Sequence, residues 1–122
     1  MHPTLFERLG GKSAIEAAVD IFYDKIMKDD SIRPFFDGVD MARQRGKQKI
    51  FLTMAFGGPV KYDGKDLRQA HAHLVARGLN DSHFDAVAGH LQSTLKELCV
   101  ANDLIAEVMA LVGSTRNDVL NR

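Results

Sequence analysis

The stretch RQAHAHLVARG, residues 68–78, holds two histidines separated by a single alanine. In a helix, residues two apart diverge by about 200°, so His71 and His73 cannot serve one metal from one face. His71 shares its face with Leu67, Leu74 and Val75, while His73 shares its face with Gln69 and Arg77. His71 is therefore expected to point to the core and His73 to water. No HExxH, paired-carboxylate or Cys/His cluster supplies the several ligands of a zinc site. No nucleophile stands near His71 in a triad pattern, and no Walker-type or GxGxxG loop exists.

Other polar side chains interrupt apolar faces. On the helix expected after Asp40, a turn of about 100° per residue places Met41, Gln44, Gln48, Phe51, Leu52 and Ala55 together. Buried amides cost roughly 1 to 3 kcal/mol each when unpaired, so Gln44 and Gln48 need partners. Those partners are neighbouring backbone and each other in the bland reading, and a ligand in a pocket in the other. Lys47 borders the same face, where its stem can follow apolar surface while the amine reaches water, or reach inward. Tyr23 lies on the edge of the preceding helix's stripe, and a buried phenol wants a hydrogen-bond partner. Tyr23, Gln44 and Gln48, converging from two helices, make a small polar site plausible. A lone histidine on an apolar face is more often a hydrogen-bonded core residue than a ligand. One buried imidazole is nevertheless enough if the cofactor brings the metal's other ligands, as haem does.

Helices must position these groups. Ser13 followed by Glu16 resembles a capping box and predicts a helix start there; Ile15, Val19, Phe22 and Ile26 then repeat at helical spacing. Pro34 and Gly38 punctuate a short connection, and Asp40 can cap a helix running through Phe56 until GGP, residues 57–59, ends it. A third helix is expected from about Lys65 to Arg77, stopping at Gly78. A fourth starts near Asn80 or Asp81 and shows Phe84, Val87, Leu91, Leu95 and Leu98. A last helix after Asn102 carries Ile105, Val108 and Val112, ends at Gly113, and leaves a polar tail, STRNDVLNR. His83 and His90 are expected on the flank away from the Phe84–Leu91–Leu95 stripe. No alternating strand pattern, repeat or low-complexity segment is found, so the fold class is all-α.

Composition narrows the function. At 122 residues, the chain reads as one domain, residues 1–122, with 45% hydrophobic and 26% charged residues and a formal net charge of +0. That balance gives no electrostatic argument for nucleic acid or an anionic membrane, and it suits a small neutral partner. The single cysteine, Cys99, excludes an internal disulfide framework and CxxC-type chemistry. No segment approaches the roughly 20 apolar residues of a membrane span, and no signal-peptide run opens the chain. The expected setting is cytoplasmic.

The segments TLFERLGG, FYDKIMKDD, FFDGVDMARQRGKQ, AFGGPVKYDG, AHAHL, HFDAVAGHL and DVLN, in collinear order over nearly the whole chain, together resemble the group I truncated haemoglobins of bacteria and cyanobacteria. The resemblance implies a shortened globin, a two-over-two helical sandwich around one non-covalent b-type haem, with an extended loop before the proximal helix. Position by position, it makes His71 the proximal iron ligand and gives His73 no role. It makes Phe36 the phenylalanine that packs on the haem, Tyr23 the distal tyrosine, and Gln44 and Gln48 the distal-helix residues that donate to bound dioxygen. Lys47 stands where some relatives place a histidine or lysine that binds iron as a sixth ligand. Such a lysine must lose its proton to ligate, so ligation would strengthen with rising pH. Arg43 and Tyr62 fall near positions that meet the haem propionates. Relatives with covalently attached haem carry a late histidine that the tail here lacks, so covalent attachment is not expected. Only MHPT precedes Leu5, without the polar extension that accompanies nitric-oxide dioxygenation in some relatives.

The implied partners are dioxygen, nitric oxide and carbon monoxide, with an unidentified reductase if nitric oxide is turned over, in a monomer. The leading reading is oxygen binding or transport, extended to nitric-oxide dioxygenase activity. The alternative is a six-coordinate redox sensor or electron-transfer protein in which Lys47 closes the sixth position. A helical interaction module without a cofactor is the third class.

Overall fold

The computed structural model describes residues 5–56 and 64–121. Among these residues every regular element is a helix: α1 (Leu5–Arg8), α2 (Gly11–Met27), a 3₁₀ turn at Arg33–Phe36, α3 (Met41–Ala55), α4 (Gly64–Ala76), α5 (Asp81–Glu97), α6 (Asn102–Gly113) and α7 (Arg116–Val119).

α2 buries Ile15, Ala18, Val19, Phe22, Tyr23 and Ile26, the three- and four-residue spacing of a single helical face. It starts at Gly11, two residues before the Ser13–Glu16 pair, and no side chain caps it. Glycine does the work instead. Gly10 has φ 114°, a conformation side chains rarely adopt, and a Cβ there would meet the Ala14 Cβ at 3.0 Å. The chain therefore turns sharply from α1 into α2, and α1 is tied to the end of α3 by Phe6 N–H donating to the Phe56 carbonyl at 2.8 Å.

Asp40 caps α3 as its position suggested, its carboxylate accepting from Ala42 N–H at 3.1 Å and Arg43 N–H at 3.3 Å. The 3₁₀ turn occupies the Pro34 connection. Asn80 caps α5: its side chain accepts from Ser82 N–H at 3.0 Å, and His83 Nδ1 accepts from Asn80 N–H at 3.1 Å. Gly78, with φ 102°, lies between α4 and α5. The GGP motif and the loop expected before α4 lie outside the described residues.

α2 packs on α3 and on α5, α5 packs on α6, and α4 packs on α7. The first three contacts make two helix pairs, α2 with α3 and α5 with α6, stacked through α2 and α5. The two-over-two layering has a core of Val19, Ile26, Leu52, Leu91, Leu95 and Val108. The polar tail is not a simple tail. It forms α7, with Thr115 and Leu120 buried on either side of it.

Candidate haem site

Between the layers lies a cleft enclosing about 970 Å³, counting the solvent at its mouth. Its walls are largely apolar. Phe22 and Ile26 come from α2, Phe35 and Phe36 from the 3₁₀ turn, Leu52 from α3, Leu74 from α4, and Phe84, Val87 and Leu91 from α5. Set into them are Tyr23, Gln44, Gln48, His71 and His83. Tyr23, the two glutamines and His71 are those the sequence turned inward, and Phe36 joins them.

The structure resolves the partner question for one glutamine. Gln44 Nε2 donates to the Tyr23 hydroxyl oxygen at 3.2 Å. Tyr23 is only 2% exposed and is flanked edge-on by Phe22, with ring centroids 5.1 Å apart, and by Phe36 at 5.9 Å. Burial pushes its phenol above the ordinary 10.0, while the Gln44 bond and the positive charge of Arg45 pull in the opposite direction. The phenol is therefore a protonated donor at neutral pH. Because its oxygen already accepts from Gln44, its O–H is free to donate toward the cleft.

Arg45, next to Gln44, binds across to α2. Its guanidinium meets Asp20 at 3.3 Å and Asp24 at 3.6 Å, bracketing the turn that carries Tyr23. Thus the amide and phenol are held by the same α2–α3 contact that builds the core.

On α4 the two histidines separate as helical geometry requires. His71 lines the cleft and His73 is exposed. Lys47 and Arg43 are both exposed on α3 and lie outside the cleft lining. Tyr62 lies outside the described residues.

Two histidines have environments that spacing alone did not reveal. His83 lines the cleft, packs edge-on against Phe35 at 4.9 Å and closes the α5 cap. The signal was present in Asn80 standing three residues ahead of it. His90 binds Asp29, Nε2 to Oδ2 at 2.7 Å, joining α5 to the turn after α2. Nothing in sequence joins residues 61 positions apart. Phe35, Leu79, Thr115 and Val119 also line the cleft without having been singled out.

Among the described residues no three His, Cys, Asp or Glu side chains gather to hold a bare metal ion. A tetrapyrrole needs something different. Its broad faces need apolar walls, and its iron, which the ring already binds, can be held by a single donor from the protein, an imidazole among the commonest. His71, in an aromatic and aliphatic cleft, would supply that donor, and Tyr23, Gln44 and Gln48 would offer polar groups to a small ligand. The residues fit haem.

An all-helical sandwich around such a cleft, with an inward imidazole on α4 and a phenol–amide pair, defines a haem-binding globin. Comparison with known proteins carries this further: the bacterial-like globin family model matches residues 4–121, and the chain belongs to that family. It is 56% identical to a group 1 truncated haemoglobin of Synechocystis sp., over 98% of each chain. It is 50% identical to one of Chlamydomonas moewusii, over 97% of this chain and 68% of that one. Among solved structures it resembles the 2/2 haemoglobin of Synechococcus sp. PCC 7002 in the cyanomet state with covalently attached haem. The TM-score is 0.94 at 49% identity, covering 98% of this chain and all of that one. It also resembles a truncated haemoglobin of Tetrahymena pyriformis in the Fe(III) form, with a TM-score of 0.88 at 42% identity, covering 97% and 98% of the two chains. The fold is thus the two-over-two truncated globin, its cofactor is haem, and binding of diatomic gases such as dioxygen is the property of the family.

Proposed function

We propose that this globin binds dioxygen on a non-covalent b-type haem, with His71 as the iron's protein ligand and Tyr23, Gln44 and Gln48 as donors to the gas. Nitric oxide and carbon monoxide are the other ligands of the site. When bound, the haem supplies an iron that takes a diatomic ligand and changes oxidation state. The residues do the rest. Gln44 donates to the Tyr23 oxygen and so directs the phenol proton into the cleft, where partial negative charge on the ligand is stabilised by a donor already in place. That bond, in the cleft His71 lines, is the observation that carries the proposal.

Support also comes from variants of the Tetrahymena pyriformis protein solved in the Fe(III) form, which replace a tyrosine and two glutamines. Their spacing along that chain is the spacing of Tyr23, Gln44 and Gln48. Phe36, packed on Tyr23, would face the haem as well, and Arg43 and Tyr62 are proposed to meet its propionates. The chain has no histidine after His90, which favours a haem held without a covalent bond.

We extend the reading to nitric-oxide dioxygenase activity: nitric oxide and dioxygen would become nitrate with one electron taken from ferrous haem iron, and an unidentified reductase would return that electron. The setting proposed is a monomer in the cytoplasm, where an exposed, unbridged Cys99 thiol is expected to persist. Lys47 as a sixth ligand is the competing state. Its exposure favours the open site, because ligation would draw a hydrated amine into an apolar cleft.

Absorption spectra of the ferric, ferrous and oxygenated forms test the proposal. His71→Ala should abolish stable haem ligation and His73→Ala should leave the spectra unchanged; the reverse result overturns the assignment. In the ferric protein a water-bound, high-spin spectrum should persist into alkaline pH. A low-spin form that grows with pH and disappears in Lys47→Ala would establish the competing state.

A further inference from the structure

The helix that carries His71 rests on the segment that follows α6. Among the described residues α4 has its most extensive helix contact with α7, and polar contacts fasten α4 to this segment. Arg68 Nε donates to Asp118 Oδ1 at 2.9 Å, and Asn121 Nδ2 donates to the Arg68 carbonyl oxygen at 3.2 Å. Arg68 stands one helical turn before His71. The same segment faces inward: Thr115 and Val119 line the cleft, and Leu120 is buried. One short stretch therefore forms part of the haem pocket's wall and grips the backbone of the helix that presents the imidazole.

We propose that residues 115–121 clamp α4, and that Asp118 and Asn121, acting through Arg68, are positioning residues that set how fast haem leaves. The inference deepens the functional reading and rests on His71 being the iron's ligand. Release of haem requires the imidazole to leave the iron and its helix to move away. An element opens with the free energy of the contacts that hold it, independently of more stable parts of the fold. Among the described residues α4 makes its main helix contact with α7, whereas α2 and α5 are held by the core on several sides.

The test is transfer of haem from the ferric holoprotein to excess apomyoglobin, with hydrogen exchange measured on the same samples. Asp118→Asn/Asn121→Ala should release haem about tenfold faster, and Asp118→Asn alone, which keeps the shape of the side chain, roughly two- to fivefold faster. Exchange should quicken across α4 and stay unchanged in α2 and α5. Arg8→Leu, which removes the Arg8–Glu107 pair between α1 and α6, should leave haem loss at the wild-type rate. Exchanging the partners, Arg68→Asp with Asp118→Arg, should restore slower release than either change alone. Wild-type haem loss in the double variant overturns the clamp, as does faster exchange spread equally over α2 and α5. If His71→Ala loses haem while the double variant does not release it faster, the clamp alone fails. If His71→Ala keeps the native spectrum, the ligand assignment fails and the clamp with it.

Discussion

Tyr23 shows how one side chain acquires a direction. A phenol can donate or accept, and a buried one with no fixed partner could do either. Here the Gln44 amide occupies the oxygen, Phe22 and Phe36 close the ring's sides, and burial keeps the proton on. Removing the hydroxyl removes a donor without opening much space. Tyr23→Phe should therefore speed dioxygen dissociation from the ferrous protein about tenfold, equivalent to about 1.4 kcal/mol of lost ligand stabilisation. Stopped-flow displacement of oxygen measures it. An unchanged rate in both Tyr23→Phe and Gln48→Leu would exclude the proposed donors. At this scale the sequence was informative: helical angle alone separated His71 from His73 and turned both glutamines inward. It could not pair Gln44 with Tyr23, because that bond depends on how far apart α2 and α3 settle.

Between elements, the connection after α2 is pinned to α5. The Asp29 carboxylate accepts from the Ser31 hydroxyl at 2.7 Å and its N–H at 2.9 Å, and binds His90. The Ser31 hydroxyl and His90 hold the carboxyl down from 3.8 to about 2. In the folded chain this acid binds its proton less tightly than in the unfolded chain, so protonation favours unfolding. The stabilisation is complete above about pH 4 and is lost as the pH falls through about 2. Asp29→Asn should lower stability by about 1 kcal/mol near neutrality, with the difference from wild type vanishing toward pH 2. Urea melts of the apoprotein at several pH values check this, and a difference independent of pH would contradict it. Helix existence was legible in periodicity and in caps such as Asp40 and Asn80. The start of α2 was not, because Gly10 replaced a side-chain cap with a backbone turn, and α7 was hidden in a polar stretch whose few inward residues matter only beside α4.

For the whole molecule, haem is a ligand of the folded state. Binding to the native chain alone stabilises it by mass action, about 4 kcal/mol when free haem is a thousandfold above its dissociation constant. The holoprotein should melt several degrees above the apoprotein, and acid–organic extraction should remove all the haem from the denatured chain. Haem remaining with the protein after extraction would refute non-covalent binding. Equal melting temperatures would show that the cleft does not hold the cofactor in its folded form.

By itself the sequence determined the helices, the faces they bury and which polar residues share those faces, because these follow from local periodicity. Its resemblance to truncated haemoglobins then made His71 the expected ligand, and the comparisons placed the chain in the globin family. Only the tertiary structure decided which inward groups meet. The Gln44–Tyr23 bond, the Asp29–His90 pair, His83 at the cleft and the grip of Asp118 and Asn121 on α4 all join distant segments or different helices. Their partners are chosen by the distances at which whole helices pack, a property no local pattern contains.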